Sequence, residues 1–181
     1  MFTLEVETGL ELALVEPSFA AEYLNLVKEN RENLSEWLAW PAHAKNEEFF
    51  LAFIEKSLSD YAQGKSLTCA ICVNGQVAGN VSLNSINREL KKVGIGYWLG
   101  SKYQGKGIVT KSVVKLIELA FEKFKVEKVQ ISAAEQNRRS RKVCERLGFT
   151  LEGIITQAEN LNGRIVDHAV YGLHRASWEQ K

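Results

Sequence analysis

Apolar positions along the chain fall into short strand-like runs separated by a few helical stretches. Residues 2–6 and 10–15 alternate as two strands around Thr8-Gly9, a turn signal. Pro17 opens a helix, where its missing N–H costs nothing, and Phe19, Tyr23, Leu26 and Val27 share one of its faces. Residues 31–45 are irregular or in short turns as far as Pro41. Residues 47–63 predict a helix with Phe50, Phe53, Ile54, Leu58 and Tyr61 on one side, ended by Gly64. Strands follow at 66–73 and 76–83, joined by Asn74-Gly75, a strong hairpin signal. Another strand covers 91–100. A helix over about 107–124 carries Val109, Val113, Leu116, Ile117, Ala120 and Phe124 at helical spacing. A strand at 128–134, a short helix at 140–147 closed by Gly148, and two last strands at 149–157 and 165–173 around Asn162-Gly163 complete the chain.

The order is β-β-α-α-β-β-β-α-β-α-β-β. A mixed sheet with helices on its faces, an α/β (α+β) architecture, is the natural packing for it. The passage 93–133 should be a right-handed parallel crossover. With 181 residues the chain reads as one domain, 1–181, long enough to bury a core without disulfides or metal.

Composition narrows the functional classes. Apolar residues make up 45% and charged residues 25%, which disfavours disorder. The net charge of +1 comes with no long basic run, so neither nucleic acid nor an anionic membrane is expected as a bulk partner. Residues 1–9 carry acids and no apolar core segment, so they do not read as a signal peptide. No run approaches the ~18 apolar residues of a membrane span. Cys69, Cys72 and Cys144 are a sparse, odd set typical of a reducing compartment, so a cytoplasmic protein is expected. Cys69 and Cys72 lie in one strand and should point to opposite faces, and no second Cys/His pair accompanies them. No metal is expected.

The segment Tyr103-Gln104-Gly105-Lys106-Gly107-Ile108-Val109-Thr110 follows a strand and opens an amphipathic helix. Gly105 and Gly107 permit positive φ and close approach of a ligand to the backbone. The free N–H groups of the first helical turn, with the helix dipole, then suit a pyrophosphate. Lys106 adds a charge there or stays solvated. Spacing alone leaves a second reading open, a tight strand-to-helix turn and nothing more. A Walker loop, GxxxxGK[ST], is absent, and a Rossmann fingerprint fits poorly, with Thr110 at its third glycine.

Gln104-x-x-Gly107-x-Val109 resembles the acetyl-CoA signature Q/R-x-x-G-x-G/A of the GNAT N-acetyltransferases, Val109 departing from the usual small residue. Asn137-Arg138-Arg139-Ser140, followed by Cys144 and Gly148-Phe149, is similar to the family's N-x-x-S...[YC]-x-x-x-G-F segment. Within the superfamily, residues 79–110 and 148–164 look most like the Rim-type ribosomal-protein N-acetyltransferases.

The resemblance implies a mixed, mostly antiparallel sheet splayed between two neighbouring strands, with acetyl-CoA as co-substrate. Its diphosphate would lie on Gln104, Gly105, Lys106, Gly107, Ile108, Val109 and Thr110. Its pantetheine arm would run beside Tyr97, Trp98 and Leu99, one of whose N–H groups would face the thioester oxygen. Gly94 and Gly96 in that strand mark either a close backbone approach or bulky packing. Asn137 would contact the pantetheine region, cap a helix, or both. Ser140 would cap the helix or protonate the leaving sulfur, directly or through water, because Cys144 stands where many relatives carry a tyrosine acid. Cys144 itself reads as a small buried residue. Glu159 is the candidate base; the other reading of Glu159 is a solvated loop side chain. His168 reads as a structural or basic histidine, and Trp37 and Trp40 as core or as a wall of the acceptor pocket.

The implied reaction is direct transfer of acetyl to a primary amine in a ternary complex. The leading acceptor is the N-terminal amine of a protein, foremost a ribosomal one. A small amine (polyamine, amino sugar or amino-acid-like metabolite) is the rival acceptor. A non-catalytic acyl-CoA-binding module is the rival class. A homodimer is expected from the habit of similar proteins.

Overall fold

The computed structural model describes residues 2–180. The elements are β1 (Thr3–Glu7), β2 (Leu10–Leu14), α1 (Ala20–Ser35), α2 (Glu47–Ala62), β3 (Leu67–Val73), β4 (Gln76–Asn87), β5 (Lys92–Leu99), α3 (Ile108–Glu122), β6 (Lys128–Ala134), α4 (Arg138–Arg146), β7 (Thr150–Leu161), β8 (Arg164–His174) and α5 (Arg175–Trp178). The order expected from the sequence is recovered, with α5 added at the end.

Local chemistry explains most boundaries. The Asn46 side chain accepts from the Phe49 N–H and caps α2, whose first turn carries Glu47 and Glu48 where the helix dipole favours acids. Asn74 and Gly75 both take positive φ, as a tight hairpin turn requires. The larger departures from the sequence reading are four. α1 runs on to Ser35 through residues read as irregular, β4 runs on to Asn87, β7 runs on to Leu161, and α4 starts at Arg138 rather than Ser140. The two long strands continue through residues of weak strand propensity because a partner strand holds them, so pairing outweighs local preference.

All eight strands form one sheet in the order β1-β2-β3-β4-β5-β6-β8-β7. Pairing is antiparallel except between β5 and β6. That parallel pairing is short: Lys92, Val93 and Gly94 oppose Lys128, Val129 and Gln130. Beyond Gly94 the paired register ends, so the sheet opens toward the C-terminal ends of both strands. The mixed, mostly antiparallel sheet with helices on both faces is the GNAT fold expected above.

Register assigns the helices to faces, since paired residues share a face. Tyr23 of α1 places its hydroxyl 2.8 Å from the Asn80 side chain. Asn80, Ser82 and Asn84 pair with Trp98, Gly96 and Gly94, and Gly94 pairs with Gln130. These residues, with Ser132, Ala134 and, across β8, His168 and Val166, therefore look toward α1 and α2. The opposite face carries Tyr97, Ile131 and Tyr171. There the Tyr97 hydroxyl meets Ser140 and the Tyr171 hydroxyl meets Arg141, both residues of α4.

The largest core cluster contains residues from both faces, including Tyr23, Ile54, Ile71, Leu83, Leu116, Ile117 and Ile131. β3 is buried from Leu67 to Cys72, and it reads as a continuous apolar run for that reason. β7 lies at the sheet edge and exposes Leu151, Ile154 and Ile155.

Candidate active site

The glycine loop takes the shape its residues allow. Gly105 and Gly107 have φ of +76° and +75°, a region costly for residues with a Cβ. A Cβ at Gly105 would meet nothing within 4 Å, and one at Gly107 would meet only the Lys111 Cε at 3.9 Å. The space beside the loop is therefore open. Gly107 is the N-cap of α3 and supplies no side-chain cap. The N–H groups of Ile108, Val109 and Thr110 belong to the first turn and have no partner within the helix. An uncapped helix start beside two left-handed glycines fits a diphosphate. The Ile108 side chain is buried, so only its main chain can take part.

Gln104 anchors this loop from two sides. Its amide nitrogen donates to the Leu99 carbonyl at 3.1 Å, and its amide oxygen accepts from Arg139 Nη1 at 2.8 Å. Arg146 Nη1 donates to Thr110 Oγ1 at 2.9 Å. Two arginines of α4, seven residues apart and so on one helix face, thus flank the start of α3. Lys106 is exposed at the loop tip. Spacing within α4 could have revealed this pair, but only the fold shows which helix start it faces.

Asn137 caps α4: its side-chain oxygen accepts from the Ser140 N–H at 3.1 Å. Ser140 is therefore inside the helix and is not its cap, contrary to one of the two sequence readings. The Ser140 hydroxyl lies 2.8 Å from the Tyr97 hydroxyl. Tyr97 was expected to contribute main-chain groups only; the structure adds its side chain. Burial raises the Tyr97 hydroxyl well above the usual phenol range, neighbouring Cys144 adds to the rise, and the Ser140 hydrogen bond opposes it. The phenol therefore stays protonated and able to donate.

Gly94 and Gly96 serve different purposes. Gly94 is the last β5 residue paired with β6, opposite a β4 bulge between Asn84 and Asn87 that contains Ser85 at φ +52°. Gly96 lies against Asn84: an added Cβ would come within 2.8 Å of the Asn84 Nδ2. The bulge that glycine in β5 suggested is thus in the partner strand.

Trp37, Trp40 and Trp98 line the α1/α2 face, all partly exposed. Trp40 packs 5.5 Å from Trp98 and 6.2 Å from Phe49, between ring centres. Trp37 packs on Ala134, Leu161 and Val166, with the Arg164 guanidinium 5.2 Å above its ring. Both tryptophans pack on the sheet, as the core reading expected. Arg164 donates to the Glu36 carbonyl and Asn162 to the Ala39 carbonyl, tying the β7–β8 turn to the segment after α1.

Glu159 is not in a loop. It lies in β7 opposite Val166, on the α1/α2 face, and accepts from His168 Nε2 at 2.9 Å. Ser132, Glu159 and His168 all keep solvent access on that face. The same face carries a groove of about 890 Å³ lined by Phe49, Phe53, Ser57, Thr68 and Asn84. A cavity of about 230 Å³ shares Asn84 and Ser85 with it and reaches Gly94 and Gln130 at the fork of the sheet. Neither cavity is lined by Glu159 or Ser140.

The two faces thus hold different chemistry: hydroxyls and the glycine loop on one side, a carboxylate and partly exposed tryptophans on the other. Residues 10–150 match the family described as Acetyltransferase (GNAT) domain. The chain belongs to the GNAT acetyltransferase family. The Bacillus subtilis (strain 168) protein YdaF is 32% identical over 180 residues, 99% of this chain and 98% of its own length. Among solved structures, the microcin C7 self immunity acetyltransferase MccE in complex with acetyl-CoA and AMP has a TM-score of 0.91 and 35% identity, covering 94% of this chain and 95% of its own. RimL, the ribosomal L7/L12 alpha-N-protein acetyltransferase in complex with coenzyme A, has a TM-score of 0.93 and 29% identity, covering 97% and 99%. As a GNAT acetyltransferase this protein uses acetyl-CoA to modify a primary amine.

Among the described residues no cluster of His, Cys, Asp and Glu could hold a metal ion, and no helix is long and apolar enough to cross a membrane. Burial first of all pushes Cys69 and Cys144 up to about 12, and Cys72 up to about 11. At pH 8 each therefore stays a thiol and a poor nucleophile. We expect Ellman's reagent to leave all three unmodified in native protein and to react with all three in guanidinium chloride; rapid reaction in the native state would show the core to be open.

Proposed function

We propose that this GNAT enzyme acetylates the N-terminal amine of a protein, a ribosomal protein foremost, as a member of the Rim-type subgroup. One observation carries the reading. Ser140 meets Tyr97 of β5 on one face of the sheet and Glu159 stands on β7 on the other, with the opening between β5 and β6 lying between these two strands in the sheet order. A thioester entering from the α3/α4 side and an amine arriving from the α1/α2 side would meet in that gap.

Acetyl-CoA supplies an activated acyl thioester. Gly105, Gly107 and the first-turn N–H groups of α3 hold its diphosphate, with Lys106, Arg139 and Arg146 supplying positive charge. Tyr97, Trp98 and Leu99 lie beyond the last β5–β6 pair, so their main chain is available to the pantetheine arm and to the thioester oxygen. Asn137 sets the start of α4 and, through it, the place of Ser140. Glu159 takes a proton from the incoming ammonium, because only the neutral amine attacks. Ser140 passes a proton to the sulfur and regains one from Tyr97 or water.

Similarity to RimL over nearly the whole chain supports a protein N-terminus as acceptor. The groove beneath α2 gives room for further residues of an acceptor chain. The test is CoA release from acetyl-CoA with a panel of amines: octapeptides with free N-terminal serine, alanine or methionine, the same peptides N-acetylated, spermidine, and an amino sugar. Free N-terminal peptides are expected to release CoA at rates at least about 10-fold above their blocked forms, since the blocked amine cannot attack. Faster release with spermidine or the amino sugar than with any peptide overturns the acceptor assignment. Tight acetyl-CoA binding without release from any amine overturns the enzyme reading.

A further inference from the structure

The base proposed above has a partner that the family motifs do not include. His168 Nε2 lies 2.9 Å from Glu159 Oε2, and the contact depends on an irregularity in β7. Ile155 pairs with His168, yet Glu159, four residues on, pairs with Val166, only two residues back along β8. Two residues of β7 are therefore taken up in a bulge. Gln157 sits in it at φ +51°, with its N–H bound to Asp167 Oδ1 at 2.8 Å.

In a regular ladder Glu159 would oppose Arg164, about 13 Å along the strand from His168 and out of reach. The bulge moves Glu159 up to a diagonal neighbour of His168 without changing its face. A non-glycine residue in the left-handed region costs free energy, on the order of 1 kcal/mol. Here the strained segment delivers a carboxylate to a histidine that faces the acceptor side.

We propose that His168 is a positioning residue for Glu159. A carboxylate can only accept hydrogen bonds, so the nitrogen facing it, Nε2, carries the hydrogen. That bond occupies Oε2 and turns Oε1 toward the amine. The side chain of an exposed glutamate otherwise samples several rotamers, and ordering it before the acceptor arrives raises the fraction of productive encounters. His168 touches no reacting atom and acts through Glu159 alone. The inference rests on Glu159 being the base.

The experiment measures kcat and KM for the fastest amine of the panel in wild type, His168→Ala, His168→Gln, Glu159→Gln and the double variant Glu159→Gln/His168→Ala. His168→Ala is expected to lower kcat about 10-fold, within the range for directly coupled side chains, with KM for acetyl-CoA unchanged. His168→Gln keeps a donor near the Nε2 position and is expected to recover kcat to within about 3-fold of wild type. In the Glu159→Gln background, His168→Ala should change kcat by less than about 2-fold, because the coupled partner is already lost.

Calorimetric acetyl-CoA affinity equal to wild type shows that each variant is folded. Wild-type kcat in His168→Ala, with Glu159→Gln impaired, overturns the positioning role and leaves the base assignment standing. Equal losses from His168→Ala with and without Glu159 also overturn it. Full activity of Glu159→Gln overturns the base assignment and this inference together.

Discussion

Gly107→Glu is expected to abolish measurable acetyl-CoA binding in calorimetry. Gly107 sits at φ +75°, where a residue with a Cβ pays about 1–2 kcal/mol in strain. Its Cβ would project into the open space beside the loop, where only the Lys111 Cε comes near. A glutamate there also places a negative charge at the start of α3, which the helix dipole welcomes. The side chain would act as an internal anion, taking the first-turn N–H groups from the ligand and repelling its phosphates. Losing two charge-assisted hydrogen bonds alone weakens affinity by about 10²-fold or more. Gly107→Ala separates the causes: it keeps the strain without the charge, and a loss of about 10-fold or less is expected. Unchanged affinity in Gly107→Glu would show that the diphosphate lies elsewhere.

Glu159→Gln is expected to lower kcat by about 10²–10⁴-fold, the usual share of a general base. Acetyl-CoA affinity should stay at the wild-type value, because Glu159 lies on the α1/α2 face and the proposed diphosphate site lies at the α3 start on the other. Glutamine keeps the size of the side chain and can still meet His168, so the loss reports proton transfer more than shape. The residual rate should follow the free fraction of the acceptor amine, rising about tenfold per pH unit below the ordinary α-amino range near 8. A full rate at every pH would remove Glu159 from the mechanism.

Much of the shape of the glycine loop is legible in the order of residues alone. Gly105 and Gly107 permitted the positive φ they take, and an amphipathic helix read from about residue 107 left its first N–H groups open. The pairing of Gln104 with Asn137 and Ser140 as parts of one site came from the resemblance, since 33 or more residues separate them. The resemblance singled out Ser140, yet its place inside α4 depended on the Asn137 cap. The Tyr97 side chain went unrecognised because the strand pattern shows only that it shares a face with Ile95 and Leu99. It does not show that α4 will lie over the face these three residues share.

Glu159 marks the sharpest division. The polar segment 157–163 resembles a loop, and glutamate on its own belongs in solvent. Pairing with β8 makes it strand, and the Gln157 bulge decides which β8 residue it meets. Residue order was enough for what short-range interactions control: turns at glycine and asparagine, strand and helix periods, and the left-handed loop that opens α3. Tertiary structure alone decided what crosses the sheet, namely the splay after Gly94, the Tyr97–Ser140 contact and the Glu159–His168 pair. The reason is register: shifting one strand by a single residue sends every side chain to the other face, and the packing of distant elements sets that shift.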